Sequence, residues 1–185
     1  MPEPRLARAA DSSLVLIDIQ ERLAAVMPAR EAVVRAAGIL AEAAAQLGIP
    51  VLATEQYPRG LGPTVPELTA KLPADAKRME KTSFSACGAL PLARPQAILA
   101  GMEAHVCVLQ TALDLLALGL RVYVVADAVA SRYPTDREFA LRRLEQAGAV
   151  LTTAEACVFE WVGGSGHPQF KAVSTLVQER MRAIT

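Results

Sequence analysis

Apolar and polar positions alternate in blocks along this chain, and the blocks change period in a regular order. Residues 13–19 (SLVLIDI) are almost continuously apolar, the mark of a strand covered on both faces. Residues 30–47 repeat alanine and branched apolar residues at helical spacing and stop at Gly48. Further short, mostly apolar runs at 50–54, 97–100, 121–126 and 149–152 read as strands, and so does the more polar stretch 76–80. Between 105 and 118, Leu109, Leu113 and Leu116 fall at helical spacing, continued by Leu120, and Gly119 closes the helix. Gly101 is expected to break the strand before it. Residues 64–71 and 89–93 predict brief helices, and Thr135 with Glu138 forms a capping-box pattern opening a helix with Phe139, Leu141 and Leu144 inward. Thr152 or Thr153 caps a helix through Trp161, and a final amphipathic helix carries Phe170, Val173, Leu176 and Val177 on one side.

Strands alternating with helices predict an α/β fold: a three-layer α/β/α sandwich around a mostly parallel, Rossmann-like central sheet. Residues 1–12 are polar and are expected to form a flexible arm before one domain over 13–185. Residues 55–66 hold three prolines and two glycines. That stretch is long for a turn and is expected to serve as a lid.

Hydrophobic residues make up 52% of the 185, enough to fill a core. Nineteen basic side chains balance nineteen acidic ones, which gives no electrostatic footing for nucleic acid or a membrane surface. Cys87, Cys107 and Cys157 are odd in number and widely spaced, which suits a reducing compartment rather than a disulfide framework. The first residues lack the apolar centre of a signal peptide, and no apolar run is long enough to span a bilayer, so a cytoplasmic location is expected. Apolar content and the 55–66 loop, which a neighbour is able to complete, predict a homo-oligomer.

Candidate chemistry gathers at one edge of the predicted sheet. Cys107 falls in the first turn of its helix, just past a strand's carboxyl end, where α/β folds bind ligands. The helix dipole there is expected to lower the thiol pKa. A buried apolar role for the cysteine competes with this reading. Asp18 and Lys81 also sit at or just past carboxyl ends of predicted strands. A carboxylate placed there is able to accept the thiol proton, and an ammonium to offset the negative charge. The ordinary alternatives are a helix N-cap for Asp18 and a solvated lysine for Lys81. His105, two residues from Cys107, points to another face and is a poor base for it. His167 reads as a surface residue at a helix start. The GLG at 60–62 lacks the later glycine of a dinucleotide fingerprint, so no cofactor is expected.

With those residues in place, the chain resembles the isochorismatase-like cysteine hydrolase superfamily. The matching words are LVLIDIQE (14–21), EKTSFSA (80–86), AGMEAHVCVLQTALDLLALG (100–119) and VYVVADAVASR (122–132), in the family's order. TEQYPRGLGPTVPEL (54–68), LTTAEA (151–156) and GHPQFKAV (166–173) are similar to its isochorismatase domain-containing branch. The resemblance implies Asp18 as base, Lys81 as its charge partner and Cys107 as nucleophile. It implies a cis peptide at Met102–Glu103, with backbone N–H groups near Ala104 forming an oxyanion hole. It also implies oligomers. Metal-dependent nicotinamidases of this superfamily carry an Asp-x-His after the second strand, where this chain has Glu55, Gln56 and Tyr57, so no metal site is expected. Cleavage of a small amide through a thioester is the activity implied. Gln20, Tyr57, Phe84, His105 and Tyr133 are candidates for shaping the substrate pocket. A non-catalytic binding protein, or a redox-sensing thiol with Cys87 as partner to Cys107, are the alternatives.

Overall fold

The structure is a computed structural model and describes residues 6–182. In chain order its elements are β1 (Ser12–Ile17), α1 (Glu21–Ala24), α2 (Arg30–Gln46), β2 (Val51–Gln56), α3 (Pro58–Leu61), α4 (Pro66–Thr69) and β3 (Lys77–Lys81). There follow β4 (Gln96–Met102), a π-helical turn (Ala104–Val108), α5 (Leu109–Ala117), β5 (Arg121–Ala130), α6 (Pro134–Gln146), β6 (Val150–Thr152), α7 (Ala154–Val162) and α8 (Phe170–Arg182). Six strands pair in the order β3-β2-β1-β4-β5-β6, and every pairing is parallel. This is the α/β sandwich that the alternating blocks predict.

Successive residues of the central strands point to opposite faces, so each strand feeds two cores. Leu14 and Leu16 of β1, Ile98 and Ala100 of β4, and Tyr123 and Val125 of β5 meet α2, α7 and α8 on one face. Val15 and Ile17, Ala97 and Leu99, and Val122 and Val124 meet α5 and α6 on the other. Continuous apolar runs therefore mean two-sided burial here, and β1 is buried at all six positions. Among the described residues no helix is long and apolar enough to cross a membrane.

Several local expectations change. Gly101 does not end β4: the strand runs on to Met102, with a register shift against β5 between Leu99 and Gly101. At φ 144° Gly101 lies where its missing side chain lets the backbone of Ile17 come close. β5 likewise continues to Ala130, four residues beyond the strand expected at 121–126. The capping box at Thr135 is not made. Tyr133 is the N-cap without a side-chain bond, and Pro134 takes the first helical position, where a missing N–H costs nothing. Phe139 faces solvent, whereas Leu144 is buried as expected. Of the arm expected at 1–12, residues 1–5 lie outside the described residues. Residues 6–12 are tied down: Ala7 is fully buried, its N–H donates to Glu160 Oε2 at 2.7 Å, and Arg8 N–H donates to Gln96 Oε1 at 2.8 Å.

The 55–66 stretch is fastened rather than free. Gln20 pairs with Thr64 in an isolated bridge, Val65 N–H donates to Ile19 O at 3.0 Å, and Glu21 N–H donates to Pro63 O at 3.0 Å. Thr64 and Val65 are buried. A segment with this many internal bonds opens only at the cost of breaking them, which argues against a lid.

Candidate active site

The strand order reverses direction of growth between β1 and β4, and the carboxyl edge there is the crevice of a doubly wound sheet. Asp18 leaves β1 at that edge with φ 52°, a left-handed conformation that aspartate tolerates better than most residues. Its N–H donates to Thr54 O at 3.1 Å and its carbonyl accepts from Gln20 N–H at 2.8 Å. The side chain is fully buried, yet both carboxylate oxygens are paired. Thr54 Oγ1 donates to Oδ1 at 2.7 Å and Lys81 Nζ donates to Oδ2 at 2.6 Å.

Lys81 is the last residue of β3, two strands away from β1. Its long side chain reaches across the end of β2. There Gln56, its register partner, accepts from Nζ through Oε1 at 2.7 Å. The Ser83 and Phe84 carbonyls lie 3.2 and 3.0 Å from the same nitrogen. An ammonium has three donors. Four acceptors around it hold it in place.

Cys107 sits in the π-helical turn that follows β4, 5% exposed. The charges of Asp18 and Lys81 both act on its thiol, the carboxylate raising its pKa and the ammonium lowering it. The structure thus brings Asp18, Lys81 and Cys107 to one point. It reverses the expected direction of the thiol pKa, however. Burial first and the Asp18 charge second push it up from 9.0 to about 12, against a smaller lowering by Lys81. A thiol taken out of water next to a carboxylate stays protonated, and the ammonium is already engaged by that carboxylate.

The Met102–Glu103 peptide is cis. Ala104, just beyond it, is fully buried and opens the turn. The Glu103 carbonyl accepts from the N–H groups of Val106 at 3.1 Å and Val108 at 3.2 Å, on either side of Cys107. The Glu103 carboxylate is buried, accepting from Arg132 Nε at 2.6 Å. His105 points away from the thiol, as its offset predicts. Its Nδ1 lies 2.9 Å from Ser131 Oγ, and its Nε2 faces Glu103 and Asp136 at 3.5 and 3.6 Å.

The remaining pocket candidates divide. Gln20 is not available to a substrate. It is fully buried, its amide donates to Gln56 O at 3.0 Å and Gly62 O at 2.7 Å, and its oxygen accepts from Gln56 N–H at 2.8 Å. It clamps the 55–66 stretch to the start of α1. Tyr57, Phe84 and Tyr133 are exposed, following β2, β3 and β5 on the carboxyl edge. A cleft of about 390 Å³ lined by Tyr57, Arg59, Glu80, Lys81 and Thr82 opens beside the Lys81 strand end.

Thr54 and Gln56 escape a reading of charged and nucleophilic residues, although each bonds directly to the ion pair. The usable signal is their period: two apart on β2, they share a face with each other. Thr111, four residues beyond Cys107, is a third such residue, donating to the Cys107 carbonyl at 2.6 Å. Glu55, where the resemblance places a metal ligand in nicotinamidases, has its Oε1 taken by the N–H and hydroxyl of Thr64, both at 2.7 Å. Among the described residues no group of three or more His, Cys, Asp or Glu side chains is placed to hold a metal.

The isochorismatase domain family model matches residues 12–156. Isochorismatase domain-containing protein 2 of Bos taurus is 48% identical over 174 residues, 91% of this chain and 83% of the relative. Among solved structures, MAR1 ribonuclease from Caenorhabditis elegans is similar at TM-score 0.90 and 45% identity, covering 94% of this chain and 93% of that one. The YcaC gene product from Escherichia coli, an octameric hydrolase of unknown specificity, is similar at TM-score 0.81 and 25% identity, covering 97% and 99%. With nearly four-fifths of its length matched, this chain belongs to the isochorismatase domain family.

Proposed function

We propose that this protein is a cysteine hydrolase that cleaves a C–N, amide-type bond of a small molecule through a thioester on Cys107. The single observation that carries the reading is the buried Lys81–Asp18 ion pair at 2.6 Å, with both of its charges acting on the Cys107 thiol. A thiol held protonated near pKa 12 is a poor nucleophile at rest. Attack and deprotonation then occur together. Sγ bonds to the carbonyl carbon as Asp18 takes the thiol proton, with Lys81 Nζ held 2.6 Å from the carboxylate. The backbone N–H groups at the head of the Ala104–Val108 turn face the oxygen as it gains charge. Collapse breaks the C–N bond, and the proton on Asp18 passes to the leaving amine. Water, giving its proton to Asp18, then attacks the thioester. The acid leaves and the proton returns to sulfur. No step is routed through a metal or a cofactor.

A homo-oligomer is part of the same proposal, supported by the octameric YcaC relative. The 45% identity to a protein named as a ribonuclease supports a second reading, RNA cleavage. The chain's balanced charge and a lysine already committed to four acceptors favour the small neutral substrate.

Wild-type protein, Cys107→Ala and Asp18→Asn are assayed against a panel of small amides and against single-stranded RNA, with intact-mass analysis of quenched reactions. The expected result is amide turnover in the wild type, with an acyl adduct on Cys107, and loss of both in the two variants. RNA cleavage that needs Cys107, without amide turnover, would overturn the amide reading.

A further inference from the structure

Thr111 is fully buried on the first turn of α5. Its hydroxyl makes two bonds, each to a different part of the site. It donates to the Cys107 carbonyl at 2.6 Å, the back-bond a helical threonine makes to the residue four before it. It accepts from Ala86 N–H at 2.9 Å. Ala86 belongs to the 82–86 loop, whose Ser83 and Phe84 carbonyls seat the Lys81 ammonium. Among the described residues, the Ala86–Thr111 bond is the one hydrogen bond that joins this loop to the turn and helix of Cys107. The loop is therefore held at one point by Lys81 and at another by Thr111.

We infer that Thr111 is a positioning residue, whose hydroxyl sets Cys107 against the Lys81–Asp18 pair by fastening the nucleophile's turn to the loop that seats Lys81. The inference rests on the cysteine-hydrolase reading for its effect on turnover, but not for its effect on the thiol. Without the hydroxyl, Ala86 N–H and the Cys107 carbonyl lose a shared partner in a buried place. Loop and turn then part, and the ammonium moves off the sulfur. Tyr57 and Tyr133, the pocket candidates outside both the loop and the turn, keep their places. The rate of the chemical step is what changes.

The test is Thr111→Val, which keeps the shape and removes the hydroxyl, beside Thr111→Ser, which keeps the hydroxyl and removes a methyl group. Thr111→Ala serves as the second hydroxyl-free variant if the valine does not fold. Two quantities are read: kcat and KM on whichever amide the wild type hydrolyses, and the rate of Cys107 alkylation by iodoacetamide at fixed pH. The hydroxyl-free variant is expected to lose between about tenfold and 100-fold in kcat, with KM held within about twofold. Its Cys107 alkylation is expected to slow by about tenfold, as the lowering influence of Lys81 on the thiol is lost. Thr111→Ser is expected to recover most of both. Wild-type alkylation in a folded hydroxyl-free variant would overturn the inference. So would a serine variant as impaired as the hydroxyl-free one, since that would mean packing alone. Alkylation needs no substrate. A wild type that hydrolyses no amide therefore counts against the proposed function, while the order of alkylation rates still decides the role of Thr111.

Discussion

Lys81 Nζ and Asp18 Oδ2 stand 2.6 Å apart with both side chains nearly out of reach of water, at 2% and 0% exposure. The two partners are not equally supported. Lys81 also has Gln56 Oε1 and two backbone carbonyls, whereas Asp18 has only the Thr54 hydroxyl besides Lys81. Lys81→Met should therefore cost more than Asp18→Asn, on the order of 3–5 kcal/mol, because it strands a buried carboxylate. The double variant should be less destabilised than the two single losses summed, as expected for groups in contact. Urea unfolding of the four proteins measures this. A Lys81→Met protein within about 1 kcal/mol of wild type would show that the pair is not the buried unit described.

The same two residues should move Cys107 in opposite directions. The Asp18 charge pushes the thiol pKa up and Lys81 pulls it down. Asp18→Asn should make Cys107 alkylate faster at neutral pH, even as it removes the proton acceptor of the proposed mechanism. Lys81→Met should slow alkylation further. In the wild type, the rate at Cys107 should still be climbing above pH 9, by about tenfold per pH unit. Peptide mass analysis separates Cys107 from Cys157, which burial also holds protonated, and from the half-buried Cys87. A Cys107 rate that levels off near pH 7 in the wild type contradicts this account.

Much of this arrangement is legible in the residues alone, and the limits are physical. Two-sided burial leaves long apolar runs, so the inner strands read cleanly at their cores, and Asp18 stands out because charges seldom interrupt such runs, whereas Lys81 closes an edge strand that is itself mostly charged. Direction of the thiol pKa does not read out the same way. A turn at a helix start suggests a lowered value, but how far water is excluded depends on the fold, and here exclusion dominates. Gly101 misleads because a glycine that ends a strand and one that admits a neighbouring backbone look identical in sequence. Gln20, a neutral side chain beside Asp18, reads as a substrate contact. Only the folded 55–66 stretch shows that its donors and acceptor are spent on Gln56 and Gly62.

Stability should fall on the alkaline side for a reason that belongs to Cys107. Its pKa in the folded protein is raised from 9.0 to about 12. Above pH 9 the unfolded chain releases this proton and the folded one keeps it, so the slope of unfolding free energy with pH is negative. The contribution is fully present below the unfolded value and is lost as pH climbs toward the folded one, at up to about 1.4 kcal/mol per pH unit. Denaturant midpoints of wild type and Cys107→Ser between pH 8 and pH 11 test this. The serine variant should lose less stability over that interval. Parallel curves for the two proteins would place the alkaline sensitivity elsewhere.

Gly101 supplies the sharpest test of how the sheet sets the site. It lies on β4 opposite Ile17, between the strand ends that carry Asp18 and Cys107. At φ 144°, a Cβ there would stand 2.8 Å from the Ile17 backbone nitrogen and carbonyl carbon, and closer still to the carbonyl oxygen. None of these atoms belongs to a side chain that is able to swing aside. Gly101→Ala must strain its own backbone and also part β4 from β1, a cost of about 3 kcal/mol or more. Gly119, at the end of α5, has φ 83° but nothing within 4 Å of its would-be Cβ. Gly119→Ala should lose only about 1–2 kcal/mol, the conformational term alone. Because parting β4 from β1 separates Cys107 from Asp18, the Gly101 variant should also lose the Asp18 dependence of Cys107 alkylation. The Gly119 variant should keep it. Equal stabilities for the two variants would mean that the close approach at Gly101 does not hold these strand ends together.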